Sequence, residues 1–241
     1  MPLFVVAVPI GNPDDITLRA INCLKACDIL VAEEAKPARI ILKRLELTKE
    51  IFLLNEHTEK TGAAEELIPI LKEGKNLVLI SDCGTPLFAD PGLTLVQACH
   101  RSKIPVIPVP GASSLIAALS VAGIDSSQFF YAGFLPRVPE ERQNSLKEFG
   151  KRHYPVVILD TPYRLRVLLE DVVRVLGKDQ EIALMLALTK EGEEVFTGKA
   201  QTFLQKLGPG KQNREFVLVL KNRHQPPSAP KQKKALTRKR R

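Results

Sequence analysis

Short apolar runs rich in β-branched residues alternate with amphipathic stretches through the first 121 residues of the chain. The short runs predict buried strands, and apolar residues spaced three and four positions apart predict helices. The predicted strands are residues 3–8, 29–32, 51–54, 77–80 and 104–109, and the predicted helices are residues 15–26, 37–45, 58–72 and 91–101. Such alternation indicates a mostly parallel sheet with helices on both faces.

The pattern changes after a helix of small residues predicted at 112–122. Strands are predicted at 129–132, 155–159, 181–187, 194–196 and 215–220, with helices at 140–151, 163–176 and 199–207. The strands at 181–187 and 194–196 are too close in sequence for a helical crossover, so antiparallel pairs are expected. We therefore predict an α/β protein of two α/β domains, residues 1–113 with a mostly parallel sheet and residues 114–222 with a mixed sheet.

The formal net charge of +8 is concentrated at the end of the chain. Residues 224–241 carry seven Lys and Arg and no acid, which leaves +1 for the rest. Because residues 223–241 offer little apolar surface to offset ordering entropy, we predict a disordered basic tail. Such a tail either binds RNA phosphates in a salt-dependent way or serves only as a soluble terminus.

Several function classes lack support in the sequence. No apolar run approaches the roughly 20 residues that span a bilayer, and no signal peptide is evident, so we expect a cytoplasmic protein that does not enter membranes. The four Cys and four His lack metal-binding spacing, and we predict no metal site. No G-x-G-x-x-G follows the first strand and no P-loop motif occurs, which leaves the common pyrophosphate-binding loops unsupported.

Three predicted strands of the first half end in loops of unusual composition, at residues 8–15, 81–92 and 108–114. Ligands in α/β sheets bind outside the carboxyl ends of strands, so we predict a ligand site where these loops meet. Gly11 in the first loop permits a close approach that a Cβ would obstruct. We expect Asp14 or Asp15 to cap the first helix, and Asp90 to cap a helix with Pro91 at its first position.

The segments 8–19, 81–92, 109–113 and 133–137, together with Arg142, resemble in order the motifs of the tetrapyrrole methylase superfamily. Within it, they are most similar to the 16S ribosomal RNA cytidine 2′-O-methyltransferase family, over about residues 3 to 220. The resemblance implies a methyltransferase that uses S-adenosylmethionine, held in a cleft between two α/β domains. It also implies a homodimer that methylates a cytidine ribose in the RNA of the small ribosomal subunit.

The resemblance further implies which residues hold the cofactor. They are Pro9, Ile10 and Gly11 beneath its amino acid portion, Asp82, Gly84, Thr85 and Pro86 in the loop near its sulfonium, Ala112 and Ser113 beside its ribose, and Thr161 and Ala187 at its adenine.

The chain departs from the family pattern in segments that could touch the acceptor. Residues 33–36 read Glu-Glu-Ala-Lys where Glu-Asp-Thr-Arg is usual, and residues 160–164 read Asp-Thr-Pro-Tyr-Arg where Glu-Ser-Pro-His-Arg is typical. A base or a cation would favour the ionised form of a ribose hydroxyl. By position, the candidates for that role are Glu33, Glu34, Lys36, Asp82 and Lys190.

Each candidate also has a plainer interpretation. Glu33 and Glu34 could form a solvated charge cluster with Lys36, Asp82 could brace its own loop, and Lys190 could be an exposed loop cation.

Arg19, Arg137 and Arg142 are candidate contacts to RNA phosphates, with surface salt bridges as the alternative. Two competing functions stay open from the sequence: methylation of a tetrapyrrole or another small acceptor, and RNA binding by a relative that has lost catalysis.

Overall fold

A computed structural model of the chain describes residues 1–208 and 212–222, and it contains two five-stranded sheets. The predicted tail at 223–241 lies outside the described residues. The first sheet has the strand order β3-β2-β4-β1-β5, and every pairing in it is parallel. Its strands are β1 (Leu3–Val6), β2 (Ile29–Ala32), β3 (Glu50–Leu53), β4 (Leu77–Leu79) and β5 (Val106–Val109), and its helices are α1 (Leu18–Ala26), α2 (Ala35–Arg44), α3 (Glu56–Lys60), α4 (Ala63–Lys72) and α5 (Leu93–Arg101).

Both faces of this sheet are covered, as the strand–helix alternation predicts. Leu77 and Leu79 face a core completed by α4 and α5, whereas Val78 points to the opposite core under α1 and α2. This follows from the period of two along a strand. Each fully buried leucine of this kind stabilises the fold by about 2 kcal/mol, so the two cores fix the sheet and the loops at its edge.

The second sheet is mixed, in the order β6-β7-β10-β8-β9. The β6–β7 pair is parallel and the other three pairs are antiparallel, which confirms the expected antiparallel pairing. Its strands are β6 (Phe130–Phe134), β7 (Val156–Asp160), β8 (Glu181–Leu186), β9 (Glu194–Lys199) and β10 (Phe216–Leu220), accompanied by α6 (Ser114–Val121), α7 (Pro139–Gly150), α8 (Leu165–Leu176) and α9 (Ala200–Lys206).

Helix α6 connects the two sheets and packs on the second. Leu115 and Leu119 join a buried cluster with Val157 and Val219, while α7, α8 and α9 cover the other face. The predicted domain boundary at residues 113 and 114 therefore falls just before a helix that belongs with the second sheet; the division into domains stays a prediction.

Local backbone geometry corrects two predictions. The helix expected at 58–72 is divided into α3 and α4 by Gly62, whose φ of +87° is left-handed. The cap of α1 is Thr17, whose side chain accepts from the Ala20 N–H, in place of Asp14 or Asp15. Those two residues instead lie in a 3₁₀ turn, Pro13–Asp15.

The start of α5 also differs from the prediction. The helix begins after Gly92 and neither Asp90 nor Pro91 belongs to its first turn. Glu59 of α3 does the capping, since its Oε1 accepts hydrogen bonds from the Gly92 N–H at 2.8 Å and the Thr94 hydroxyl at 2.6 Å. A carboxylate at a helix N-terminus satisfies free N–H groups.

Among the residues that the structure describes, no helix is long and apolar enough to cross a membrane.

Candidate active site

The three loops singled out in the sequence are joined directly to one another. Val8 and Gly84 exchange backbone hydrogen bonds of 2.9 and 3.1 Å, and the Thr85 hydroxyl donates to the Ala112 carbonyl at 2.9 Å. At Gly111, an added Cβ would lie 3.0 Å from the Ala7 Cβ, so a side chain there would crowd the first loop. The predicted meeting of the loops at the carboxyl edge of the sheet is confirmed.

Two neighbouring cavities open beside these loops. The first, which we call the α2 cavity, has a volume of about 630 Å³ and lies between the first loop and helix α2. Apolar residues of the 3₁₀ turn and of α2 form its sides, and Glu34, Lys36, Asp82 and Lys190 contribute charge. Its size is that of ordinary small-molecule sites.

The second, which we call the inter-sheet cavity, has a volume of about 190 Å³. It is lined from the first half by Ile10 and Cys83, and from the second half mainly by apolar residues such as Leu159, Met185 and Val217. Ile10, Cys83 and Lys190 line both cavities, so the two spaces adjoin.

Some of the predicted cofactor residues line a cavity, and the others lie close in sequence to a residue that does. Pro9, Ile10, Gly11 and Asp82 line the α2 cavity, and Ile10 also lines the inter-sheet cavity. The remaining predicted residues line neither cavity, but each lies within three positions of one that does: Gly84, Thr85 and Pro86 follow Cys83, Ala112 and Ser113 precede Ser114, Thr161 follows Asp160, and Ala187 precedes Leu188.

A tight turn from the second half closes over the first loop. The Lys190 N–H donates to the Ala187 carbonyl at 2.9 Å, and both Ala187 and Thr189 have left-handed φ angles, of 49° and 61°. The Thr189 hydroxyl accepts from the Asn12 N–H at 2.9 Å. Non-glycine residues with positive φ cost roughly 1–2 kcal/mol each and cluster at functional sites.

Gly11 is required by the closeness of that turn. A Cβ on Gly11 would lie 2.7 Å from the Leu188 carbonyl oxygen and 2.5 Å from the Lys190 Cγ. The close approach predicted for Gly11 is therefore observed, and its partner is the backbone of the second half.

Lys190 lies at the boundary of the two cavities with a defined partner. Its Nζ donates to Glu215 Oε1 at 2.8 Å, although both side chains are partly exposed. Burial by itself would raise the pKa of the Glu215 carboxyl, but the hydrogen bond and positive charge of Lys190 hold that pKa below its usual value. Lys190 is thus an exposed cation at the edge of the site, paired with Glu215.

Acidic side chains gather where β2 and β4 end. Burial raises the pKa of Glu33 from 4.5 to about 7, and the charges of Asp82 and Asp90 add to the effect. Burial also raises the pKa of Asp82, although the Glu34 N–H opposes this by donating to its Oδ1 at 3.3 Å. A carboxyl group with a pKa of about 7, such as that of Glu33, can accept or hold a proton near neutral pH.

Glu34 and Lys36 lie at the end of β2 and the start of α2, and the solvated charge cluster considered for them stays an alternative. Both side chains are exposed and line the α2 cavity. Within residues 1–208 and 212–222, neither takes part in an ion pair. Their charges are available to a ligand in that cavity.

Asp160 lies in the segment 160–164 that the sequence indicates could touch the acceptor, but it is not among the predicted site residues. It ends β7, its side chain has 0% exposure, and it lines the inter-sheet cavity. One carboxylate oxygen pairs with Arg164 at 3.1 Å and accepts from the Thr161 N–H at 2.7 Å, but Oδ2 is buried without a hydrogen-bond partner among the described residues. A charged residue directly after the apolar run at 156–159 was the available signal.

The three arginines predicted to contact RNA have different positions. Arg19 and Arg137 are exposed, which is compatible with a phosphate contact. Arg142 is only 4% exposed, and its guanidinium pairs with Asp171 at 2.7 Å and donates to the Arg137 carbonyl at 2.9 Å. The prediction for Arg142 is therefore wrong, because a buried and fully engaged guanidinium cannot reach a phosphate.

The structure has two sheets with their helices, and loops at the strand ends enclose two adjoining cavities. This arrangement is typical of an α/β enzyme with its site between two sheets. The crystal structure of the native form of uroporphyrin III C-methyl transferase from Thermus thermophilus has the same fold, with a TM-score of 0.65 over 91% of this chain and 97% of that chain, at 16% identity.

Residues 2–204 match the family of Tetrapyrrole (Corrin/Porphyrin) Methylases, and the chain belongs to this family of methyltransferases. It is 36% identical to Ribosomal RNA small subunit methyltransferase I of Thermotoga maritima, over 90% of this chain and 97% of that protein. It is 37% identical to the protein of the same name from Escherichia coli O157:H7, over 90% of this chain and 76% of that protein. The family resemblance in the loops is thereby confirmed.

Proposed function

We propose that this chain transfers a methyl group from S-adenosylmethionine to the ribose 2′-hydroxyl of a cytidine in small-subunit ribosomal RNA. The relatives' names support RNA of the small subunit as the acceptor. The observation that carries the proposal is the pair of adjoining cavities, which share Ile10, Cys83 and Lys190. One cavity would hold the donor and the other the acceptor, with the transfer at their common boundary.

The residues of the inter-sheet cavity fit the adenine end of S-adenosylmethionine. Because the cavity's volume of about 190 Å³ lies below the roughly 300 Å³ of ordinary ligand sites, the rest of the cofactor would extend to the boundary shared with the α2 cavity. The apolar side of the inter-sheet cavity, with Leu159, Met185 and Val217, suits a purine ring, and the unpartnered Asp160 Oδ2 can accept from an N–H or O–H group of the ligand. When bound, this cofactor supplies a methyl group on a positively charged sulfur that is already an activated leaving group. We propose that Gly84 and Thr85 support the donor indirectly, by fixing the loop that carries Cys83.

The chain's own residues then have to position the acceptor and manage its proton. In-line transfer is accelerated chiefly by holding the two reacting atoms together. Asp82, which lines the α2 cavity and whose pKa burial raises, is suited to accept the hydroxyl proton, and Glu33, with a pKa of about 7, lies within electrostatic reach of it. Lys190 would stabilise the developing negative charge on oxygen, since it lines both cavities at their common boundary.

RNA binding is proposed for the exposed Arg19 and Arg137 and for the basic residues at 223–241. Bidentate arginine contacts and counterion release would together make affinity fall with salt. The homodimer and the cytoplasmic location stay predictions that accompany this proposal.

The test combines cofactor binding with methyl transfer. Calorimetry with S-adenosylmethionine should show binding, and purified protein with methyl-labelled cofactor should transfer label to RNA of unmethylated small ribosomal subunits. Label that enters a tetrapyrrole and no RNA would support the small-acceptor alternative. Binding of RNA with neither calorimetric heat nor methyl transfer would support the non-catalytic alternative and contradict the proposal.

A further inference from the structure

The α2 cavity is larger than the inter-sheet cavity and differs from it in character. Its sides are formed by Ile16 and Pro13 of the first loop region and by Ile40 and Ile41 of α2. Ile40 is 61% exposed, so water contacts this apolar wall in the absence of a ligand. Apolar walls of this kind suit a flat heterocyclic base removed from its stack.

Charge is distributed unequally around this cavity. Lys36 and Arg44 lie with the apolar residues of α2, and Arg44 extends to Asp14 at 2.6 Å across the two walls. That ion pair is well exposed on both sides, so it is weak and can open to a phosphate. The cations therefore complement the backbone on either side of an extruded nucleotide.

Glu34 supplies a different kind of contact. Its backbone N–H is held by Asp82 Oδ1, the residue lines the cavity with an exposed side chain, and no ion pair with a described residue neutralises its carboxylate. A carboxylate accepts a hydrogen bond from the 4-amino group of cytosine. It repels the 4-carbonyl oxygen that uracil presents at the same place, because both groups are acceptors only.

We infer that the α2 cavity receives the target nucleotide extruded from the RNA, and that Glu34 selects cytosine over uracil there. The inference rests on the proposed function and adds to it the residue that determines the base. The boundary shared with the inter-sheet cavity at Ile10, Cys83 and Lys190 brings the sugar of such a nucleotide next to the donor.

The test uses small subunits reconstituted with RNA that has either cytidine or uridine at the position which the wild-type protein methylates. The ratio of kcat/KM for the two RNAs should be at least about tenfold in favour of cytidine, as expected for one good polar contact to a base. Glu34→Gln can donate to the uracil carbonyl, so its ratio should fall below about threefold. The affinity for S-adenosylhomocysteine, measured by calorimetry, should stay at the wild-type value.

Two further variants separate base selection from a general defect. Glu73→Gln removes an exposed carboxylate distant from both cavities and should keep the wild-type ratio. Ile40→Trp adds bulk at an exposed wall position, so the protein should still fold, and it should lower kcat/KM at least about tenfold for both RNAs. Val167→Trp, at an exposed position on α8, is its matched control and should have no such effect.

The results separate a failure of the nucleotide pocket from a failure of the proposed methyltransferase function. Wild-type discrimination by Glu34→Gln, or unchanged kcat/KM for Ile40→Trp, would overturn the nucleotide pocket while the methyltransferase function stands. If the wild-type protein binds the cofactor but methylates neither RNA, the proposed function itself fails and the pocket with it.

Discussion

Replacement of Arg142 tests whether this residue holds the second half together or contacts RNA. The guanidinium and the Asp171 carboxylate are 5% and 6% exposed and lie 2.7 Å apart. Arg142→Met leaves a buried carboxylate without its cation, which typically costs about 3–5 kcal/mol. Gln143 still donates to Asp171 at 2.8 Å, so we expect the lower part of that range, about 3 kcal/mol.

Urea unfolding followed by circular dichroism measures this loss, and the double variant Arg142→Met/Asp171→Leu provides the decisive comparison. Because an apolar pair in place of a buried ion pair is often neutral, the double variant should recover more than half of the lost stability. Arg137→Met, at an exposed position on the neighbouring loop, should change stability by less than about 0.5 kcal/mol. Wild-type stability of Arg142→Met together with a weaker, less salt-dependent affinity for RNA would refute the buried role.

Three other predictions follow from the site. Gly11→Ala should lower the affinity for S-adenosylhomocysteine about tenfold in calorimetry, because its Cβ would lie 2.7 Å from the Leu188 carbonyl. The control is Gly208→Ala, whose Cβ would meet no atom of the described residues within 4 Å, and equal affinities of the two variants would contradict this. Asp160→Ala should lower the affinity for S-adenosylhomocysteine roughly tenfold or more, because it removes the unpartnered Oδ2. Arg164→Met keeps that oxygen and should lower the affinity less. A larger loss for Arg164→Met than for Asp160→Ala would assign Asp160 a structural role only. Glu33→Gln should increase the free energy of unfolding at about pH 8 more than at about pH 5. The raised pKa of Glu33 gives stability that is complete below pH 4.5 and is lost as the pH rises through about 7, and a difference independent of pH would show that Glu33 is not buried as described.

Local patterns in the sequence predict the features that depend on neighbouring residues. The apolar runs and helical spacing predict all ten strands and most helices of the described chain to within a few residues. The loops after β1, β4 and β5 could be brought together in advance, because the carboxyl ends of parallel strands share one edge of a sheet. The antiparallel pairing of β8 with β9 followed from the shortness of their connection.

Features set by distant partners could not be predicted in this way. Glu59 caps α5 through Gly92, 33 residues later, and Asp171 lies on a different helix from its partner Arg142. A signal for that pair did exist: Arg142 lies four positions before the buried Leu146 of α7, and Asp171 lies among the buried leucines of α8. A charge on the apolar face of each of two helices is typical of a buried pair.

The position of Lys190 shows the same limit at the site. Its sequence neighbourhood identifies a loop cation, but only the tertiary structure brings it against Gly11 and pairs it with Glu215. The left-handed angles at Ala187 and Thr189 that make this possible are uncommon for such residues and have no local cause in the sequence.

The central claim is that the methyl group is transferred to a ribose oxygen of a cytidine in small-subunit RNA. Subunits labelled by the purified protein are digested completely to nucleosides, which are separated and identified by mass spectrometry. We predict that the label is recovered in 2′-O-methylcytidine, with the added mass on the sugar fragment. Label on the fragment of a base, in another nucleoside or in ribosomal protein would contradict the claim.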